Sequence, residues 1–174
     1  MIGWQEDKLA SDRFIPHIQE VLGRCLIGIA SVDEDQERNT DLIVLSLKSV
    51  RIACRVRSES YQDRFGDEFT IRSSRPRGTK TELAKVIEGW GDYILYGFGS
   101  DTEPRLTQWH LGDLCVFRSE FCRFLYRNDK HVMPGTEKKN HDGSSCFRVF
   151  KWSEFPPSFV VASSVNPNNP NEVT

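Results

Sequence analysis

The sequence predicts an α/β or α+β fold, a central mixed sheet of four to six strands flanked by helices. Three observations carry that reading. SDRFIPHIQEVLGRCLI and TKTELAKVIEGWG place apolar residues at helical spacing, RIACRVRS and DEFTIRSS alternate with period two, and DLIVLSL and DYILYGFG are apolar runs of strand length. In chain order these give helix, three strands, helix, strand, an αβββαβ core with a C-terminal helix and an edge-strand extension behind it.

In the first helix Phe14, Ile18, Val21, Leu22 and Cys25 share one face, with Ser11 or Asp12 available as cap and Pro16 confined to the first turn. VDEDQERN is a hydrophilic loop, and the DLIVLSL strand follows. On RIACRVRS, Ile52, Cys54 and Val56 lie on one face, while Arg51, Ala53, Arg55 and Arg57 lie on the other. A turn at Gly66-Asp67 leads to a strand with Phe69 and Ile71 inward and Glu68, Thr70 and Arg72 outward, so these two strands are expected to pair as a hairpin. The second helix carries Leu83, Val86, Ile87 and Trp90 at core spacing, a threonine cap and a glycine stop. LTQWHL reads as a fifth strand, and GDLCVFRSEFCRFLYR as a third helix capped by Asp113, with Leu114, Phe117, Phe121, Phe124 and Leu125 on its apolar side. CFRVFKW reads as an edge strand, and Trp152 sits in an aromatic, proline-bearing segment expected to lace across the sheet.

The 174 residues, 38% of them hydrophobic, suit one globular domain over 1–165, with a core at about 11–98, an extension over 99–165 and a disordered tail at 166–174. No long apolar run and no basic leader is seen, so a soluble protein without a membrane role is expected. The five cysteines form no CxxC pair and read mainly as small hydrophobes. The four histidines show no metal-ligand spacing and read as solvated; His131 and His141 fall in a Gly/Pro/Lys/Asn stretch taken as a surface loop. No GxSxG or other nucleophile motif occurs. Charge is segregated: residues 1–50 hold nine acids and five bases, and residues 51–85 hold nine bases and five acids. That basic stretch suits either a phosphate-bearing partner or a solvated face.

With Asp41 opening one strand and Arg55-Val56-Arg57 on the next, the element order resembles the PD-(D/E)XK nuclease superfamily over about residues 11–98. The runs NTDLIVL, RIACRVRS, DEFTIRSSRPRGTKTELAKVIEGWGDYILYGF and FKWSEFPPSFVV also look like a family of bacteriophage and prophage proteins, a likeness that brings no established activity with it. The resemblance implies residence in the host cytoplasm and a DNA partner. It also implies a site in which two acids hold magnesium and a lysine assists phosphodiester cleavage. Asp41 matches the first acid; Arg55 stands where the second acid belongs and Arg57 where the lysine belongs. A guanidinium has no acceptor and opposes a nearby cation, so a ligand relocated to Glu82, Glu68 or Glu20 is needed for an active site.

The catalytic set on this resemblance is therefore Asp41, Arg55, Arg57 and Glu82, with magnesium on Asp41 and Glu82. The nucleic-acid-binding set is Arg55, Arg57, Arg72, Arg75, Arg77 and Lys80, the last four in or beside the basic loop RSSRPRGTKT, which lacks the P-loop spacing. Bland readings stand beside these. Asp41 suits a strand-opening turn, Arg55 and Arg57 suit pairing with acids across the sheet, and Glu82 suits an ion pair with Lys85. The leading expectation is nucleic-acid association with an incomplete catalytic set; the alternative is a phage accessory protein that binds a host protein.

Overall fold

Amphipathic spacing in the first helix is realised directly. Helix α1 (Ile15–Leu26) lays Ile18, Val21 and Leu22, with Phe14 just before it, onto a sheet, where all four are buried. The computed structural model describes residues 12–29, 42–44, 50–75, 80–128, 132–141 and 143–165. Strands β1 (Ile27–Ile29) and β2 (Leu42–Val44) pair antiparallel as a small ribbon after α1.

The main sheet is mixed and four-stranded. Its order is β3 (Ile52–Ser58), β5 (Tyr93–Gly99), β6 (Leu106–Asp113), β9 (Val160–Ser163), with β3 parallel to β5 and the other pairs antiparallel. A second, antiparallel sheet runs β4 (Glu68–Ser74), β8 (Cys146–Lys151), β7 (Thr136–Lys139). Helices α2 (Gln62–Phe65), α3 (Glu82–Ile87) and α4 (Leu114–Arg127) complete the mixed α and β architecture.

Alternation along β5 explains the two cores. Leu95 faces α1 together with Leu106 and Leu111, whereas Ile94, Tyr96 and Phe98 face the second sheet and the helices α3 and α4. Between the sheets Phe69 touches six aromatic rings, those of Tyr96, Phe117, Phe150, Trp152, Phe155 and Phe159, at centroid separations of 4.5–6.5 Å. Helices α3 and α4 are capped as the sequence predicts. The Thr81 hydroxyl accepts from Ala84 N, and the Asp113 carboxylate accepts from Cys115 N and Val116 N.

Several expectations are corrected. β3 and β4 do not form a hairpin, because residues 59–67 make a 3₁₀ turn and helix α2 that carry the chain to the other sheet, and β5 takes the β3 edge. β8 is the centre of its sheet and not an edge, since β7, in the stretch read as a loop, pairs along its outer side. Trp90 is 59% exposed and not core. The helix ends before it at Gly89, whose φ of +97° turns the chain, and the helical spacing does not continue through that glycine. Cys54, Cys115 and Cys122 are exposed and not hydrophobic filler. His17 and His110 have structural partners and are not merely solvated: Leu106 N donates to His17 Nδ1 at 3.0 Å, and His110 stacks on Trp152.

Because Phe69 joins elements from both sheets, Phe69→Ala is expected to cost about 3–5 kcal/mol, a large part of a typical domain's total stability. A urea unfolding midpoint close to that of the parent would contradict this account of the core.

Candidate nucleic-acid interface

Arg55 and Arg57 project from the same face of β3, and the structure gives them different surroundings. The Arg55 guanidinium donates from Nη1 to the Thr70 carbonyl and hydroxyl, both at 3.1 Å, and from Nη2 to Glu82 Oε2 at 2.9 Å. The same carboxylate oxygen accepts from the backbone N–H of Arg72 at 3.1 Å, and the Thr70 hydroxyl lies 3.2 Å from the Tyr96 hydroxyl. Both charged groups are a little over a quarter exposed. The cluster ties β3, β4, β5 and the first turn of α3 together, and it brings together two predicted catalytic residues as an ion pair.

The expected magnesium partner of Glu82, Asp41, lies outside the described residues, as does Arg77. Of the remaining predicted contacts, Lys80 pairs with Glu88 at 2.6 Å on the surface, and Arg75 is exposed at the end of β4. Glu68 sits opposite Lys151 across β4 and β8, and Glu20 is exposed on α1. Among the described residues, no group of three or more His, Cys, Asp or Glu side chains is placed to hold a metal.

Arg57 opens onto a groove of about 490 Å³. One wall is Arg57, Arg64 and Phe65; the other is the face of the second sheet turned away from the Phe69 core. Strand pairing brings that face together: Thr70, Val149 and Thr136 fall in register, and Phe147 and Lys138 are partners one step further on. Five basic residues (Arg57, Arg64, Lys138, Lys139 and Lys151) face two acidic ones (Glu68 and Glu154), over a floor that includes Phe65, Phe147 and Val149. The Arg57 guanidinium lies 4.7 Å from the Tyr61 ring and 5.1 Å from the Phe65 ring, so aromatic faces hold it in place and leave its edge donors for a ligand.

Sequence reasoning found Arg57 but missed Arg64, Lys138, Lys139 and Lys151. Those lysines lie more than fifty residues beyond the basic stretch at 51–85 and converge on it only through the β7–β8–β4 pairing. The Asp142-Gly143 pair between TEKK and CFRVFK is a turn signal in the sequence, but TEKK, with a glutamate and two lysines, gives little sign of a strand.

His110 occupies a separate polar cluster. Its Nδ1 lies 2.9 Å from the Ser163 hydroxyl, its Nε2 lies 3.4 Å from the Gln108 amide, and its ring stacks on Trp152 at 4.9 Å. Burial pushes its pKa down to about 4, with the Asp67 charge and the Gly66 backbone pulling weakly the other way.

No family model, curated protein or solved structure matches this chain.

Two outcomes test this geometry. Arg55→Ala should lower stability by about 1–3 kcal/mol, and Glu82→Gln by less, because the amide oxygen still accepts from Arg55 and Arg72 N; urea melts that reverse this order would refute the clamp. For His110 the folded pKa lies below the ordinary 6.5, so the neutral ring contributes stability above that value and loses it as pH falls toward about 4. The unfolding midpoint of the parent should therefore drop more over that window than that of His110→Gln, and parallel pH profiles would exclude the effect.

Proposed function

We propose that the chain binds nucleic acid along the groove between Arg57 and the outer face of the second sheet. The observation that supports this reading is the lining itself, in which five cations outnumber two carboxylates over a partly aromatic floor. The whole protein carries a net charge of −2, so the groove concentrates positive charge against the overall sign. A sugar–phosphate backbone matches such a surface, because each phosphate neutralised by Lys or Arg releases condensed counterions. DNA is the polymer favoured by the resemblance of the sequence to nuclease-like phage proteins. Strand-mounted cations suit it, since their backbone positions are fixed by sheet pairing on both edges of β8.

Binding, and not cleavage, is the activity proposed. In the sequence-based scheme Glu82 supplies one of two metal ligands, yet one oxygen of its carboxylate already accepts from Arg55 and Arg72 N. Magnesium brought to that oxygen would have to displace a guanidinium or sit beside it, and both oppose binding. A chelator should accordingly leave the affinity for DNA unchanged.

The test is fluorescence anisotropy with a labelled oligodeoxynucleotide over a salt series. Affinity should fall linearly on logarithmic axes, and the double variant Lys138→Ala/Lys151→Ala should bind more weakly with a slope reduced by about 1.4–1.8, some 0.7–0.9 per lost phosphate contact. Lys80→Ala, whose side chain pairs with Glu88, should behave as the parent. Equal affinity and slope for the double variant and the parent would overturn the proposal.

A further inference from the structure

Next to the groove lies a second cavity of about 310 Å³, framed by the C-terminal half of α4, the Pro134-Gly135 turn and the segment around Phe155. Four phenylalanines, Phe121, Phe124, Phe150 and Phe155, contribute its apolar walls, beside the paired Glu120 and Arg123. Polar groups stand around them. Asn128 donates its amide to the Phe124 carbonyl and keeps its side-chain oxygen as an acceptor, Arg127 adds a cation, and Glu154 adds a carboxylate. Flat apolar walls with donors and acceptors at the edge suit a planar heteroaromatic ring.

The two cavities share Gly135 and Glu154 as a common wall. That wall is thin and fixed. Gly135 has φ of +75°, and a Cβ there would fall 2.7 Å from both the Phe150 ring and the Val149 carbonyl. Arg148 holds it from within, donating to the carbonyls of Pro134 at 2.7 Å and of Met133 and Gly135 at 2.8 Å. A cationic track therefore leads, over a glycine, to an aromatic chamber. We infer that the ligand of the groove is a single-stranded nucleic acid whose backbone lies along Arg57, Lys138 and Lys151 and which seats one unpaired base in the chamber beside Phe124.

This inference deepens the groove reading and rests on it. It selects a single strand, because in a duplex the bases are stacked and paired inside and cannot enter the chamber unless flipped out. Phe124 is the ring best suited to meet the base, being 36% exposed where Phe121 and Phe150 are buried in the core.

The experiment compares binding of the full chain to an oligothymidylate, to an abasic oligomer of the same length, and to a duplex. The parent should prefer the base-bearing strand to the abasic one by at least about five-fold, the lower end of base–aromatic stacking. Phe124→Ala should erase that preference while leaving the abasic affinity unchanged, and Phe124→Leu, which keeps most of the volume but not the ring face, should do the same. Lys138→Ala/Lys151→Ala should weaken binding to all three. If the parent binds base-bearing and abasic strands equally, or if Phe124→Ala lowers both alike with an unchanged melting temperature, the chamber is not a base site although the groove reading survives. If no oligomer binds, the groove reading fails and the inference with it.

Discussion

The contact on which the rest depends is the packing of Phe69 between the two sheets. Each sheet has a buried face to satisfy, and the four-stranded one has two, since α1 covers the Leu95 side and the second sheet with α3 and α4 covers the Tyr96 side. The rings around Phe69, itself on β4, come from β5, α4, β8 and the segment after β8. Close-packed aromatic rings resist sliding because any displacement opens voids on one side and clashes on the other. The groove lies where β3 and α2 meet the back of β4, β8 and β7, so its shape follows from how those rings interlock.

Arg55 completes that junction at the sheet edge. A guanidinium largely withdrawn from water needs its donors satisfied, and three bonds are made, two to Thr70 and one to Glu82. In return Glu82 is held against the backbone N–H of Arg72, which fixes the start of α3 against β4. The same residue pair that suggests degenerate metal chemistry in the sequence is thus a working joint in the fold. An arginine does here what an acid could not do, for an acid beside Glu82 would add like charge and leave the Thr70 carbonyl without a donor.

Local patterning made most elements legible, while pairing between elements was much less so. Helix faces at Phe14–Leu22 and Leu114–Phe121 follow from 3.6-residue spacing, and the Thr81 and Asp113 caps follow from side-chain chemistry, all of which are local. The expected β3–β4 hairpin failed because residues 59–67 hold enough helix-forming sequence to break the turn, and the choice of β5 as neighbour is a tertiary one. Trp90 misled because periodicity was followed through a glycine that reverses the chain. The site was half legible. Arg57 stood out within a basic run, whereas Lys138 and Lys151 reach it only through β7–β8–β4 pairing, which no window of sequence contains.

A groove of this construction differs physically from a basic loop. Cations carried on an irregular loop must be ordered when they meet a phosphate, and long side chains on a free backbone lose both rotamer and backbone entropy in doing so. Lys138 and Lys151 lose only the former, because hydrogen-bonded strands already hold their backbones. Arg57 loses less still, since the Tyr61 and Phe65 rings confine its guanidinium before any ligand arrives. Stacking also leaves the in-plane N–H groups free, and these are the donors that match a phosphate's oxygens. The Arg57 pair of rings and the two-edged pairing of β8 therefore act in the same sense: each moves the ordering cost of recognition into folding, where the aromatic core supplies the driving force.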